Sequence, residues 1–417
     1  MLALMRWDSL RIADDSPAPA VHASAADAEA PATAGTATAN TATANTATAN
    51  TDGTVGSSAR AAGAQLAGTG GQQALFSRDT VVTRTFDTPG FRGITFHEVH
   101  ARSLISKVPE ASRMPFRWTI NPYRGCSHAC VYCFARNTHT YLDLDSGHDF
   151  DTQIVVKVNA VELVRRELKS ARWTGEHIAM GTNVDCYQRA EGRYRLMPGI
   201  ITALTEAANP FSILTKGTLI LRDIDLLATA ASVTEVGLNV SVGIVDKSLS
   251  RSIEPGTPSP DRRLAACAAL SERGLRCGVL MGPVVPFLSD SPGQLDEAVR
   301  KIANAGAAHV TPIVLHLRPG AREWFLRWLG ANHPELVDAY RDLYGSRAYA
   351  PASYQGQIAE QVAELARKYG VGRTTPAGAR RVPAVSVIRG TKTASGRAGQ
   401  AGPRDPERSG PVQLSLM

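Results

Sequence analysis

VGLNVSVG, residues 236–243, alternates two kinds of side chain with a period of two. Val236, Leu238, Val240 and Val242 fall on one face of a strand, and Gly237, Asn239, Ser241 and Gly243 on the other. A parallel sheet packed between two layers of helices wants apolar side chains on both faces. A small, polar face opposite a greasy one fits a barrel strand instead, its outer face under helices and its inner face beside a ligand cavity. The stretch therefore favours a barrel over an open sheet.

Five more apolar runs, at 116–120, 177–183, 211–216, 275–285 and 309–317, join 235–242 to make six expected strands. Helical start signals stand between them. Ser291, Pro292 and Gln294 form a capping box, followed by Leu295, Val299 and Ile302 on one face. NAVE at 159–162 is a second start, with Val161, Val164 and Leu168 as its buried stripe. Ser259 and Pro260 open a third helix, which Gly274 ends. Strand followed by helix, six times over, predicts an α/β fold with a parallel sheet and right-handed crossovers.

Composition limits how much of the 417 residues this core can occupy. Residues 16–72 are nearly all Ala, Thr, Gly, Ser and Asn, with TATAN three times from Thr36 to Asn50. Such small side chains bury too little to offset the entropy of ordering the chain. Residues 373–417 carry eight Arg plus Lys against two acidic residues, most of the net charge of +7. The expected organisation is a disordered segment 1–75, an extension 76–111 packed on the core, a core 112–330, a helical segment 331–372 and a disordered basic tail 373–417. The opening MLALMRWDSLRI has no apolar stretch of signal-peptide length, and no segment approaches the roughly 20 apolar residues of a membrane span. A cytosolic protein without a membrane partner is expected, and its six cysteines should be ligands or buried thiols rather than disulfides.

Three of those cysteines sit in RGCSHACVYCFAR, residues 124–136, directly after the first expected strand. Ligands in such folds gather at the carboxyl ends of strands. A structural zinc site needs four ligands, and the local fourth donor would be His128, in a spacing unlike that of a zinc finger. A [4Fe-4S] cluster takes one thiolate per iron, so Cys126, Cys130 and Cys133 would leave one iron open to a further ligand. Cys267 and Cys277, on a helix face and inside a strand, read as core.

CSHACVYC has the form Cys-x-x-x-Cys-x-aromatic-Cys after the first strand of a six-strand array, and so resembles the signature of the radical S-adenosylmethionine superfamily. The resemblance spans about Pro115 to Gly330. It implies a partial (β/α)6 TIM-like barrel, a [4Fe-4S] cluster on Cys126, Cys130 and Cys133, and S-adenosylmethionine on the open iron. It also implies a one-electron donor such as a flavodoxin or ferredoxin. By the same resemblance Tyr132 would lie by the adenine, and Gly181, Thr182 and Asn183 would receive the methionyl group, although no glutamate stands where the family pattern has one. Ser241 and Asn239 would meet the ribose.

NPYRGCSHACVYCFAR, GTNVDCYQRAEGRY, SIEPGTPSPDRRL and GPVVPFLSD together resemble the DNA-repair-photolyase-like branch, related to spore photoproduct lyase. This implies lyase chemistry on a DNA photoproduct, with Cys186 as hydrogen donor. Two alternatives stay open: a radical enzyme acting on a peptide or RNA, and a zinc-dependent nucleic-acid-binding protein. Trp324 and Trp328, and Phe325 and Leu329, are spaced by four, which reads first as a helix face on the barrel and second as a base-stacking surface.

Overall fold

A computed structural model describes residues 10–11, 81–109 and 114–372. The expected basic tail and, apart from residues 10–11, the low-complexity segment lie outside these. β1 (Leu10–Arg11), β2 (Val82–Thr85) and β3 (Thr95–Ala101) belong to a side sheet, and β4 (Ile105–Lys107) and β5 (Trp118–Ile120) begin the main one. β6 (Tyr123–Arg124) and β7 (Gln153–Lys157) return to the side sheet; β8 (Ile178–Met180), β9 (Phe211–Thr215), β10 (Val236–Ser241), β11 (Cys277–Val284) and β12 (Val310–Val314) complete the main one.

The main sheet runs β4-β5-β8-β9-β10-β11-β12. From β5 onward each neighbour pair is parallel, and β4 is an antiparallel edge. Because these six parallel strands are neighbours in chain order, every connection is a crossover carrying helix, as the alternating pattern predicts. Among the described residues β4 and β12 do not pair, so the barrel is partial. In β10, Leu238 and Val240 are buried under the helices, while Ser241 on the opposite face borders the central cavity.

The side sheet, ordered β1-β3-β7-β6 with β2 on β3, is absent from the sequence-based reading. Its strands hide because Phe96 and Val99, both buried, lie on opposite faces of β3 and break the alternation. Its effect on the site is direct. Pairing of Tyr123 with Val156 and of Arg124 with Val155 delivers the chain to Cys126, whose N–H bonds the Phe150 carbonyl at 2.9 Å.

Ser291 and Gln294 make the expected capping box, and the Ser259 hydroxyl accepts from Arg262 N–H. Asn159 differs. Its side chain does not cap the helix Ala160–Leu168 but bonds both N–H and C=O of Ala101 at 2.9 Å, tying that helix to the end of β3. The buried stripe of this helix is Ala160, Leu163 and Val164, with Val161 and Leu168 only partly buried.

All described residues belong to one compact unit. The helix Ala352–Tyr369 packs on β12 and on the helix Pro292–Asn304, and Tyr344 donates to the Leu315 carbonyl at 2.6 Å. In the helix Ala321–Asn332, Phe325 and Leu329 are fully buried, while Trp328 donates to Ser252 Oγ at 3.1 Å. Cys267 and Cys277 are both buried in the core. No described helix is long and apolar enough to cross a membrane.

Candidate active site

Past β6 the chain folds into a compact loop at the carboxyl ends of the barrel strands. Ala129 N–H bonds the Cys126 carbonyl at 3.1 Å, and Cys133 N–H bonds the Cys130 carbonyl at 3.2 Å. These two turns bring Cys126, Cys130 and Cys133 to the wall of one cavity, beside Tyr132. Gly181, Thr182 and Asn183, just past β8, and Ser241, at the end of β10, border the same cavity. Gly181 has φ +76°, and a Cβ there would lie 1.8 Å from the Leu214 carbonyl oxygen, so no side chain fits.

Two expected site residues are elsewhere. Asn239 does not line the cavity; its Oδ1 lies 2.9 Å from His309 Nε2. Cys186 is fully buried and also absent from the cavity wall. Burial, then the nearby carboxylates of Asp185 and Glu191, push its thiol well above the usual range. Its side chain is packed in the core and does not border the cavity, so this arrangement offers no support for a hydrogen-donor role. The alternation that put Asn239 on the inner face was correct, but it could not say how deep along the barrel that face is filled.

The cysteine loop is braced from three directions. From inside the loop's own continuation, the fully buried Arg136 donates to the Cys130 carbonyl at 3.1 and 2.9 Å and to Gly147 O at 2.7 Å. It also grips Asp151 through both carboxylate oxygens, at 2.9 and 3.0 Å. From the segment after β8, Gln188 accepts from Ser127 N–H at 2.9 Å and donates to Gly125 O at 2.8 Å. From the helix Lys247–Ile253, the Ile253 carbonyl accepts from Val131 N–H, and Gly256 N–H bonds the His128 carbonyl, both at 3.0 Å.

The last contact leaves no room for a side chain. A Cβ on Gly256 would lie 2.0 Å from the Ser127 carbonyl oxygen and 2.8 Å from His128 Cα, both backbone. Gly256→Ala is therefore expected to destabilise the fold by about 1–3 kcal/mol, the usual cost of overpacking. Urea unfolding monitored by circular dichroism checks it; a midpoint equal to that of the parent would show that the loop yields freely.

Asp185 supplies another brace. Its carboxylate accepts from the Thr215 hydroxyl at 2.7 Å and Lys216 N–H at 2.6 Å, and faces His128 Nδ1 at 3.3 Å. Burial works against its charge, but His128 and these hydrogen bonds overcome it and bring its pKa down to about 2. The unfolded value is about 3.9. A carboxyl whose folded pKa is depressed contributes stability above the unfolded pKa, and that contribution is lost as pH falls through the folded value. About 2 kcal/mol should thus disappear between pH ~4 and ~2. Asp185→Asn is expected to flatten the stability profile in that window; unfolding midpoints measured across it would show an unchanged slope if Asp185 were not responsible.

Burial pushes the Cys126 thiol well up, Cys130 up to about 12, and Cys133 upward. All three line the same cavity. Among the described residues no three His, Cys, Asp or Glu side chains converge closely enough for a single metal ion. A four-iron cluster needs no such convergence, since each thiolate takes its own iron. Three soft donors around one cavity at the mouth of a partial barrel fit that group.

The sequence reading missed several supporting residues: Arg136, Asp185, Gln188, Lys216, Glu254 and Arg263. Arg263 had a legible signal. It falls on the buried face of the helix Pro260–Glu272 with Cys267 and Leu270, and a charged residue in an apolar stripe implies a buried partner. That partner is Glu254, 2.6 Å away.

A partial (β/α)6 barrel with three cysteines at its mouth defines a class of protein, and comparison with known proteins agrees. Residues 120–299 match the Radical SAM superfamily, and the chain belongs to it. An uncharacterised protein of Mycobacterium tuberculosis (strain ATCC 25618 / H37Rv) is 52% identical over 288 residues, 69% of this chain and 85% of the relative. An uncharacterised protein of Methanocaldococcus jannaschii is 31% identical over 185 residues, 44% of this chain and 65% of the relative. Among solved structures, spore photoproduct lyase complexed with dinucleoside spore photoproduct superimposes with a TM-score of 0.50 at 16% identity, covering 66% of this chain and 80% of the other. That likeness is one of fold. Membership implies radical chemistry that uses a [4Fe-4S] cluster, S-adenosylmethionine and an external electron donor.

Proposed function

We propose that Cys126, Cys130 and Cys133 hold a [4Fe-4S] cluster whose fourth iron takes S-adenosylmethionine, and that the enzyme acts by hydrogen abstraction. The observation that carries this reading is the meeting of three cysteine side chains and Tyr132 on one cavity at the carboxyl ends of the barrel strands. With a reduced cluster and S-adenosylmethionine bound, the site would supply one-electron cleavage of the sulfonium to methionine and a 5′-deoxyadenosyl radical. The chain's own residues bind, orient and enclose. Gly181, Thr182 and Asn183 offer backbone and small polar groups at the end of β8. The Ser241 hydroxyl donates to Gly282 O at 2.9 Å, which keeps its lone pairs turned to a ligand hydroxyl. Tyr132 gives its ring as a flat wall for adenine while its hydroxyl is anchored on Glu254. Apolar Leu280, Ile313 and Leu315 line another part of the cavity, where they keep water from a radical.

Nucleic acid carrying a photoproduct is the proposed substrate class, with a ferredoxin or flavodoxin as reductant in a cytosolic setting. Its support is the resemblance of the four quoted motifs to the photolyase-like branch. Anaerobic incubation with S-adenosylmethionine and dithionite tests the chemistry without knowing the substrate. The expected product is 5′-deoxyadenosine from brown protein holding about four irons and four sulfides. Colourless protein with one zinc and no 5′-deoxyadenosine would refute it. DNA binding that falls with salt and survives removal of residues 373–417 would support the substrate class, since the tail's nonspecific attraction is then gone.

A further inference from the structure

Behind Cys130 lies a set of charges that the binding of cluster and S-adenosylmethionine leaves unexplained. Glu254 is 2% exposed and Arg263 fully buried, and the two are joined at 2.6 Å. Glu254 also accepts from the Tyr132 hydroxyl, so it reaches the cysteine loop between Cys130 and Cys133. Arg263 donates to the Ser241 carbonyl at 3.0 Å and to Ser250 Oγ at 3.1 Å, holding the pair against the end of β10. Lys216, at the cavity wall, places Nζ 5.8 Å from the centre of the Tyr132 ring.

A buried ion pair is a poor source of stability, since a hydrophobic replacement often does as well. Its placement here bears on the cluster ligand instead. Lys216 shares a cavity wall with Cys130, Glu254 is bonded to Tyr132 between Cys130 and Cys133, and Arg263 is paired with Glu254. Burial opposes the charge on Glu254, yet Arg263 and Lys216, with the Tyr132 hydrogen bond, keep its carboxyl below the usual range. It is an anion in a low-dielectric setting, where charge interactions are weakly screened.

Reduction of a cluster adds one negative charge, and net charge around a cluster is one of the levers on its potential. We propose that Glu254 lowers, and Lys216 and Arg263 raise, the reduction potential of the cluster carried at Cys130. This rests on the proposed cluster and adds to it the groups that decide how strong a reductant the enzyme needs. Glu254 is a positioning residue in this role: it acts through Tyr132 and through space, and touches no reacting atom.

Redox titration of the anaerobically reconstituted full chain, followed by the spectrum of the reduced cluster without S-adenosylmethionine, tests it. Glu254→Gln should shift the midpoint positive, with the equilibrium constant for reduction rising at least about tenfold, or about 59 mV for one electron. Glu254→Gln with Arg263→Met should return it toward the parent, because an anion and a cation leave together. Lys216→Gln, at a partly exposed position, should shift it negative even if the Glu254 variant does not fold. Tyr132→Phe removes a hydrogen bond and no charge, and should move the midpoint least. Loss of packing alone would not give shifts of opposite sign. Unmoved or negative-going Glu254→Gln, or positive-going Lys216→Gln, overturns the inference while leaving the cluster in place. Failure of the parent to form a four-iron cluster overturns the proposed function itself, and this inference with it.

Discussion

Alanine at any one of Cys126, Cys130 or Cys133 is expected to abolish the visible absorption of the reconstituted protein and the release of 5′-deoxyadenosine together. The reason is stoichiometric: three of the four irons each need a thiolate, and no cysteine besides these three borders the cavity. Cys186, Cys267 and Cys277 are all fully buried elsewhere and cannot substitute. The folded chain should survive, because the loop is held by backbone and by Arg136 and Gln188 rather than by its sulfurs. Far-ultraviolet circular dichroism close to that of the parent, beside at least a hundredfold loss of S-adenosylmethionine cleavage, is the expected pair of results. Cleavage retained in the triple variant would remove the basis of the proposed function.

Arg136→Met should be the most damaging single change to the fold of the site. It removes donors to the Cys130 and Gly147 carbonyls and leaves Asp151 without its bidentate partner. Burial already raises the Asp151 pKa to about 6 against the pull of Arg136, so the carboxylate has little solvation to fall back on. Breaking a buried pair by deleting one partner typically costs about 3–5 kcal/mol. The guanidinium also fills the space between the rings of Phe150 and Trp324, 5.2 and 5.1 Å from its central carbon. Denaturant unfolding should show that loss, and a double change that also replaces Asp151 by leucine should recover part of it. Stability of the Arg136→Met protein within about 1 kcal/mol of the parent would show that the loop does not depend on this anchor.

The cysteines and Arg136 were unequally legible. The cysteines announce themselves by spacing, since three soft ligands within eight positions have few chemical uses. Arg136 follows three residues after the last of them and carries no comparable pattern. Its role depends on the turn that folds Ser146, Gly147 and Asp151 back over the loop, a contact set by the side sheet. The side sheet was itself invisible, because a strand buried on both faces by scattered residues shows neither the period of two nor an unbroken apolar run. Cys186 and Asn239, both expected at the site, lie off the cavity wall. For Cys186, position past a strand end says that it is near the cavity, whereas the turn that follows decides which way its side chain faces; for Asn239, alternation gives the face of β10 but not the depth along the barrel.

Local order along the chain was enough to establish the repeating strand–helix alternation, the polar inner face of β10, two helix caps and the cysteine triplet, because each depends on residues within a few positions of one another. Tertiary structure alone decided which charges stand behind the cysteines. Tyr132 and Glu254 are 122 positions apart, and Ser127 and Gln188 are 61 apart. Such pairs meet only after the barrel has curled and brought successive strand ends to one mouth. No periodicity encodes the meeting, since it is the sum of every crossover between them.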